Sequence, residues 1–148
     1  MGSVKFSEKI LINKPPPFVF DYTQDYANRL PWDTFLKEAK LIGGVEKARV
    51  GVKAWCVAHN GLGMETEYVT FNRPKATAIK MTKGPFMFKS FLGSWVFRES
   101  GHQQTEVTFI YSFQLRFPFS LVVPFIKNSL RRNVRKRLDD LKMCAEKV

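Results

Sequence analysis

Val107-Thr108-Phe109-Ile110-Tyr111-Ser112-Phe113-Gln114-Leu115-Arg116 carries a large apolar side chain at every second position from Val107 to Leu115. Side chains alternate across a strand, so Val107, Phe109, Tyr111, Phe113 and Leu115 share one face, turned to a core or cavity. Thr108, Ser112, Gln114 and Arg116 lie on the other. Beyond Pro118 the period changes. Val122, Ile126, Leu130, Val134, Leu138, Leu141 and Ala145 recur every three or four residues, the signature of an apolar stripe along a helix about 45 Å long if continuous. Pro124 falls inside that pattern and is expected to kink or restart the helix. Lys127, Arg131, Arg132, Arg135 and Lys136 occupy its other face.

Upstream, Val4 to Ile12 reads as a first strand stopped by Pro15-Pro16-Pro17, and proline in a first turn favours a short helix through Phe18-Val19-Phe20. A second short helical piece is expected from Asp25 to Leu30, before Pro31 forces the chain out of helix. From Thr34 the period is two, with turns at Gly43-Gly44, Asn60-Gly61, Arg73-Pro74, Lys83-Gly84-Pro85 and Ser100-Gly101. Strands are expected near 34–42, 50–58, 65–72, 76–82, 87–98 and 105–116, joined by short loops as an antiparallel meander. Lys89 shares a parity with Trp95 and Phe97, which points to a bulge or bend at Gly93.

The chain has 148 residues, 45% of them hydrophobic, enough for one ordinary core without disulfide or metal support. A single domain over 1–148 is expected. Its two cysteines, Cys56 and Cys144, read as thiols rather than a bridge. The 14 Phe, 4 Tyr and 3 Trp exceed what such a core needs, and a ligand cavity is one outlet. The net charge of +11 suits an anionic partner surface. The opening residues lack the apolar run of a secretory signal, so a cytoplasmic location is expected, and Phe6 stands where a myristoylated Gly2 would want Ser or Thr.

A strand, a broken helix, six meandering strands and a closing helix describe an α+β fold, a curved sheet that only the last helix can cover. Pro15-Pro16-Pro17-Phe18-Val19-Phe20-Asp21-Tyr22, Asn28-Arg29-Leu30-Pro31-Trp32-Asp33, Gly51, Gly93-Ser94-Trp95-Val96-Phe97 and Thr105-Glu106-Val107-Thr108 carry, in order and spacing, a resemblance to the helix-grip, START-like (SRPBCC) superfamily, in its polyketide cyclase/dehydrase-like branch. The resemblance covers nearly the whole chain. It implies a seven-stranded antiparallel sheet wrapped around a long C-terminal helix, with a cavity for a lipid, isoprenoid or polyketide-like molecule. It also implies that Trp32 lies near the cavity mouth.

Tyr68, Trp95 and Tyr111 each offer a ring and one polar atom to a ligand, and with Trp32, Phe109 and Phe125 they form the expected ligand-binding set. No catalytic residue stands out: His102 reads as a turn residue, His59 as a strand end, and Glu65 and Glu67 as outward strand charges. No metal spacing, cofactor motif or phosphate loop is present, and no nucleic-acid reading motif accompanies the basic charge. Phe117 to Ile126 forms ten residues without a charge, followed by a tail from Lys127 with eight basic and three acidic side chains. Such a wedge and cluster have two readings: the wedge seals the cavity while the basic face is solvated, or the pair lies on an anionic membrane with Arg131, Arg132 and Arg135 as the contacts. The leading expectation is therefore a binding or carrier protein for a small hydrophobic molecule, the alternatives being a cyclase/aromatase-type enzyme and a peripheral membrane adaptor. No residue pattern names the ligand or an oligomeric state.

Overall fold

The first and last strands of the chain lie side by side. In the computed structural model, which describes Ser3 to Val148, β1 (Val4–Ile12) pairs antiparallel with β7 (Thr105–Leu115), Val4 opposite Phe113 and Ile12 opposite Thr105. The Gly2 reading lies outside the described residues. Between them run β2 (Leu36–Leu41), β3 (Lys53–Ala58), β4 (Gly63–Asn72), β5 (Ala76–Lys83) and β6 (Phe88–Glu99), giving one seven-stranded antiparallel sheet in the order β1-β7-β6-β5-β4-β3-β2. The strand boundaries agree with the expected ones to within about three residues. The alternation in β7 is complete: Thr105, Val107, Phe109, Tyr111, Phe113 and Leu115 are buried, and the residues between them are half-exposed.

The sheet curves into a half-barrel, aided by register shifts at Leu36/Glu38, Glu65/Thr66, Tyr68/Thr70 and Phe88/Ser90. The last of these corrects an expectation. Lys89 and Ser90 are both exposed between inward Phe88 and inward Phe91, so the extra residue sits there, whereas Gly93 keeps an unbroken register opposite Tyr111. The bulge absorbs the parity conflict that Lys89 raised. Gly93 itself faces inward.

Helix α1 (Pro16–Gln24) begins on prolines whose missing N–H groups would be unpaired in a first turn anyway. The second helical piece is shorter than expected, one 3₁₀ turn (Tyr26–Asn28) in which the Ala27 N–H donates to Asp25 Oδ1 at 3.1 Å. Pro124 acts as a restart: a 3₁₀ turn (Phe119–Val122) leads into α2 (Val123–Ala145), with the proline in the first turn. At 23 residues α2 is about 35 Å long, shorter than the roughly 45 Å of a helix running unbroken from Pro118 to Val148.

The two halves of α2 behave differently. Val134, Leu138, Leu141 and Ala145 are buried against the sheet, while Val122 and Phe125 are exposed and Ile126 and Leu130 only partly covered. The C-terminal half is packed. The N-terminal half stands off the sheet and roofs a space. Truncating Leu141, fully buried, to Ala is expected to cost about 2–5 kcal/mol of unfolding free energy in urea titrations. The same change at Leu121, 70% exposed, is expected to stay within about 0.5 kcal/mol.

Candidate functional site

The space under α2 is a cavity of about 340 Å³ between the concave face of the sheet and the helix. Its walls are apolar, built by Phe91, Trp95 and Phe109 from the last two strands and by Met64 and Ile79 from β4 and β5. Trp95 stacks on Phe109 with centroids 4.2 Å apart, and Tyr111 meets Phe109 edge-on at 4.9 Å. At Gly93 an added Cβ would find Ile79 and Tyr111 at ordinary contact distance, 3.5 Å, so the missing side chain leaves cavity volume. The rim is wet: Leu62, Asn60 and Ser129 are exposed, and Pro85 and Met87 come from the β5–β6 loop beside them.

The buried end is polar. Asp33, fully buried, accepts from Arg29 Nε at 2.8 Å on Oδ2, and from Arg137 Nε at 3.0 Å on Oδ1 and Nη2 at 2.8 Å on Oδ2. Arg137 Nη1 also donates to Tyr111 Oη at 2.7 Å, and Arg29 Nη1 to the Thr23 carbonyl at 3.3 Å. Beside this cluster, Tyr68 Oη donates to Gln24 Oε1 at 2.7 Å and lies 3.3 Å from Tyr26 Oη, and Gln24 Nε2 donates to Thr23 Oγ1. Gln24, Tyr26, Arg29, Tyr68, Tyr111 and Arg137 all line the cavity.

These contacts set the charge states. Burial opposes ionisation of Asp33, but Arg137 and then Arg29 outweigh it and hold the carboxyl down at about 2. Burial also opposes the charge on Arg137 and Arg29, and Asp33 more than restores it in both, so their pKa values rise. Burial pushes the Tyr26 and Tyr68 hydroxyls up, Tyr68 well above the ordinary tyrosine range, and does the same to the Cys56 thiol in the cavity wall.

A sequence model of the polyketide cyclase / dehydrase and lipid transport family matches residues 3–146. The chain belongs to that family. Within the family's START-like fold, it is similar to the Zhui aromatase/cyclase from a Streptomyces species, with a TM-score of 0.82 and 12% identity over 97% of this chain and 94% of that one. A Thermus thermophilus protein gives 0.81 at 17% identity, covering 96% of this chain and 97% of its own. A START superfamily protein from Mycobacterium smegmatis gives 0.77 at 9% identity, with 94% and 97% covered. These identities speak to the fold. No curated protein matches the chain by sequence.

Of the six residues expected to bind ligand, Tyr68, Trp95, Phe109 and Tyr111 line the family member's cavity. Two do not. Trp32 is sealed behind the wall, edge-on to Trp95 at 6.2 Å and 4.9 Å from the Arg29 guanidinium. Phe125 is 77% exposed on the outside of α2, because the helix restarts at Pro124 and its first turns do not lie on the sheet. The basic trio is also split: Arg135 pairs with Glu8, Arg131 lies over the Phe6 ring at 5.4 Å, and Arg132 is exposed. Cys56 and Cys144 are free thiols, and no group of His, Cys, Asp and Glu suited to a metal occurs among the described residues. No helix among them is long and apolar enough to cross a membrane.

Sequence reasoning passed over Arg29, Asp33 and Arg137. One signal was available: Arg137 lies three residues after Val134 and four before Leu141, which puts a guanidinium on the apolar face of the helix. Replacing Asp33 by Asn leaves two buried guanidiniums without a counter-ion and is expected to cost about 3–5 kcal/mol at pH 7. Because the folded carboxyl titrates below its unfolded value, its contribution is complete above about pH 4 and is lost as the pH falls toward 2. Urea unfolding of the two proteins between pH 6 and pH 2 is therefore expected to show the gap narrowing across that interval.

Proposed function

We propose that this chain binds a small, largely apolar molecule with a polar end, of the lipid, isoprenoid or polyketide-like kind, in the cavity between the sheet and α2. The observation that carries the reading is the cavity itself, about 340 Å³, walled by Trp95, Phe109, Phe91 and Ile79, with Arg29 and Arg137 at its buried end. That combination, mostly apolar walls with a few convergent polar groups, is how ligand sites are built. Burial of apolar ligand surface supplies roughly 25 cal/mol per Å².

Binding is favoured over acid–base turnover by the charge states at the polar end. Tyr26, Tyr68 and Cys56 are held protonated and Arg29 and Arg137 charged around neutral pH, with Asp33 ionised between them. Such groups offer fixed donors and charge. A general acid or base works best with a pKa near the working pH.

A second reading, a membrane surface as the place of loading, is favoured by one observation. Phe86 beside the rim residues Pro85 and Met87, and Phe117, Leu121 and Phe125 around the start of α2, are each at least 70% exposed. Phe117 follows Arg116, Lys127 comes two residues after Phe125, and the Arg116 guanidinium lies over the Phe86 ring at 5.2 Å. Exposed apolar side chains flanked by cations fit an anionic bilayer, where each nearby Lys or Arg adds about 1 kcal/mol.

In thermal melts of delipidated protein, a bound ligand at a hundred times its Kd is expected to raise Tm by about 5–10 °C. Gly93→Leu, which projects into the cavity, is expected to abolish that rise while the unliganded melt persists. A ligand screen without any shift would sink the first reading. For the second, cosedimentation with vesicles containing phosphatidylserine but not with pure phosphatidylcholine vesicles is expected, and Leu121→Ser with Phe125→Ser is expected to weaken it at least tenfold. Equal binding to both vesicle types would count against it.

A further inference from the structure

The buried polar end of the cavity carries an unbalanced charge. Two arginines, each 6% exposed as a residue, share a single carboxylate, and Asp33 Oδ2 alone takes a donor from each. Both arginines are held charged, so the cluster bears one net positive charge where it lines the cavity. Buried charges are normally paired, since an ion desolvated without a partner is strongly disfavoured. No second acid completes the group among the described residues. The half-exposed Glu38 pairs with Lys40, and Asp140 accepts from Lys136 and Thr34. Tyr26, Tyr68 and Cys56 stay neutral.

The hydrogen-bond tally gives the same answer independently of charge. Arg29 uses Nε on Asp33 and Nη1 on the Thr23 carbonyl, and Nη2 makes no hydrogen bond among the described residues. Its guanidinium lies 4.9 Å from the Trp32 ring centre and 5.5 Å from that of Tyr26. These rings soften the excess charge but supply no anion. The side chain that keeps the unused donors also lines the cavity, together with Arg137.

We infer that the molecule held in this cavity is an organic acid, an apolar body ending in a single anionic oxygen group such as a carboxylate, whose head lies at the buried end against Arg29. This rests on the proposed ligand-binding reading and narrows it. The acid supplies the counter-ion that Asp33 cannot supply twice, and it accepts from the free guanidinium N–H groups in a charge-assisted geometry. The apolar body lies along Trp95 and Phe109 toward the rim.

The test uses matched acid and neutral probes on the full chain at pH 7.5 in 0.15 M salt: dodecanoate against 1-dodecanol, and 2-naphthoate against 2-naphthol, read by isothermal titration and by quenching of tryptophan fluorescence. For at least one pair, the acid is expected to bind at least tenfold tighter than its neutral counterpart. Which pair shows the preference separates an alkyl from an aromatic body. In Arg29→Met, which leaves a one-to-one Asp33–Arg137 pair, the ratio of the two Kd values is expected to fall to within about twofold. Arg29→Lys is expected to recover most of the preference, and near-UV circular dichroism checks that each variant is folded. Equal affinity of acid and neutral probes in the unmodified protein overturns this inference and leaves the cavity reading standing. A preference that survives Arg29→Met also overturns it, because the basic surface then accounts for the attraction. Failure of all four probes to bind removes the cavity reading and this inference together.

Discussion

Asp33 holds the molecule together at one point. Its two oxygens take three donors, one from Arg29 just after the 3₁₀ turn and two from Arg137, 104 residues further along the chain in the closing helix. The bridge joins the segment leading into β2 to the middle of α2. Because Arg137 also donates to Tyr111 on β7, it fixes the rotation of α2 about its axis as well as its position. An apolar cluster of the same volume could be as stable, since desolvating three ions consumes much of what their attraction returns. A greasy contact would tolerate sliding and rotation of the helix, whereas a bidentate guanidinium–carboxylate pair does not.

That fixed rotation explains why one helix does two jobs. Beyond Arg137 its buried side chains, Leu138, Leu141 and Ala145, pack as ordinary core. Before it, Ile126 and Leu130 cover a space that the sheet's curvature leaves unfilled. The aromatic side chains that line the space are supported from behind by further rings, as Trp32 supports Trp95 and Phe6 supports Tyr111 at 5.6 Å. The wall is therefore backed by packed rings, and the space beside it exists without rearrangement of the core.

Much of this is legible in the sequence, and the gaps have physical causes. The uninterrupted alternation from Val107 to Leu115 can only be a strand, and turn residues at Gly43-Gly44, Asn60-Gly61 and Ser100-Gly101 separate its neighbours. Parity reveals that β6 holds a bulge but not where: Gly93 looks like the defect, yet the extra residue is at Lys89, where two successive side chains point outward. Phe125 neighbours Ile126 of the helical stripe in an apolar run, yet it lies on the outer side of α2. Spacing reports which residues share a face, but not how far along the helix that face stays in contact with the sheet. The Arg29–Asp33–Arg137 cluster is hidden by the habit of assigning charges to solvent: only a fold that brings positions 33 and 137 together can bury two arginines at modest cost. Tyr68 and Tyr111 stand out because their rings lie on apolar faces, and their hydroxyl partners come from elements whose placement is tertiary.

The pairing of β1 with β7 governs when this structure can come into being. The residues opposite Val4 to Ile12 are Thr105 to Phe113, so on the ribosome the opening segment waits roughly 5–20 s for its neighbour to be made. During that wait Phe6 and Ile12 have no sheet to sink into. Mixed folds dominated by such distant pairings fold more slowly than helical ones, and until β7 is made the apolar side chains of β1 stay uncovered.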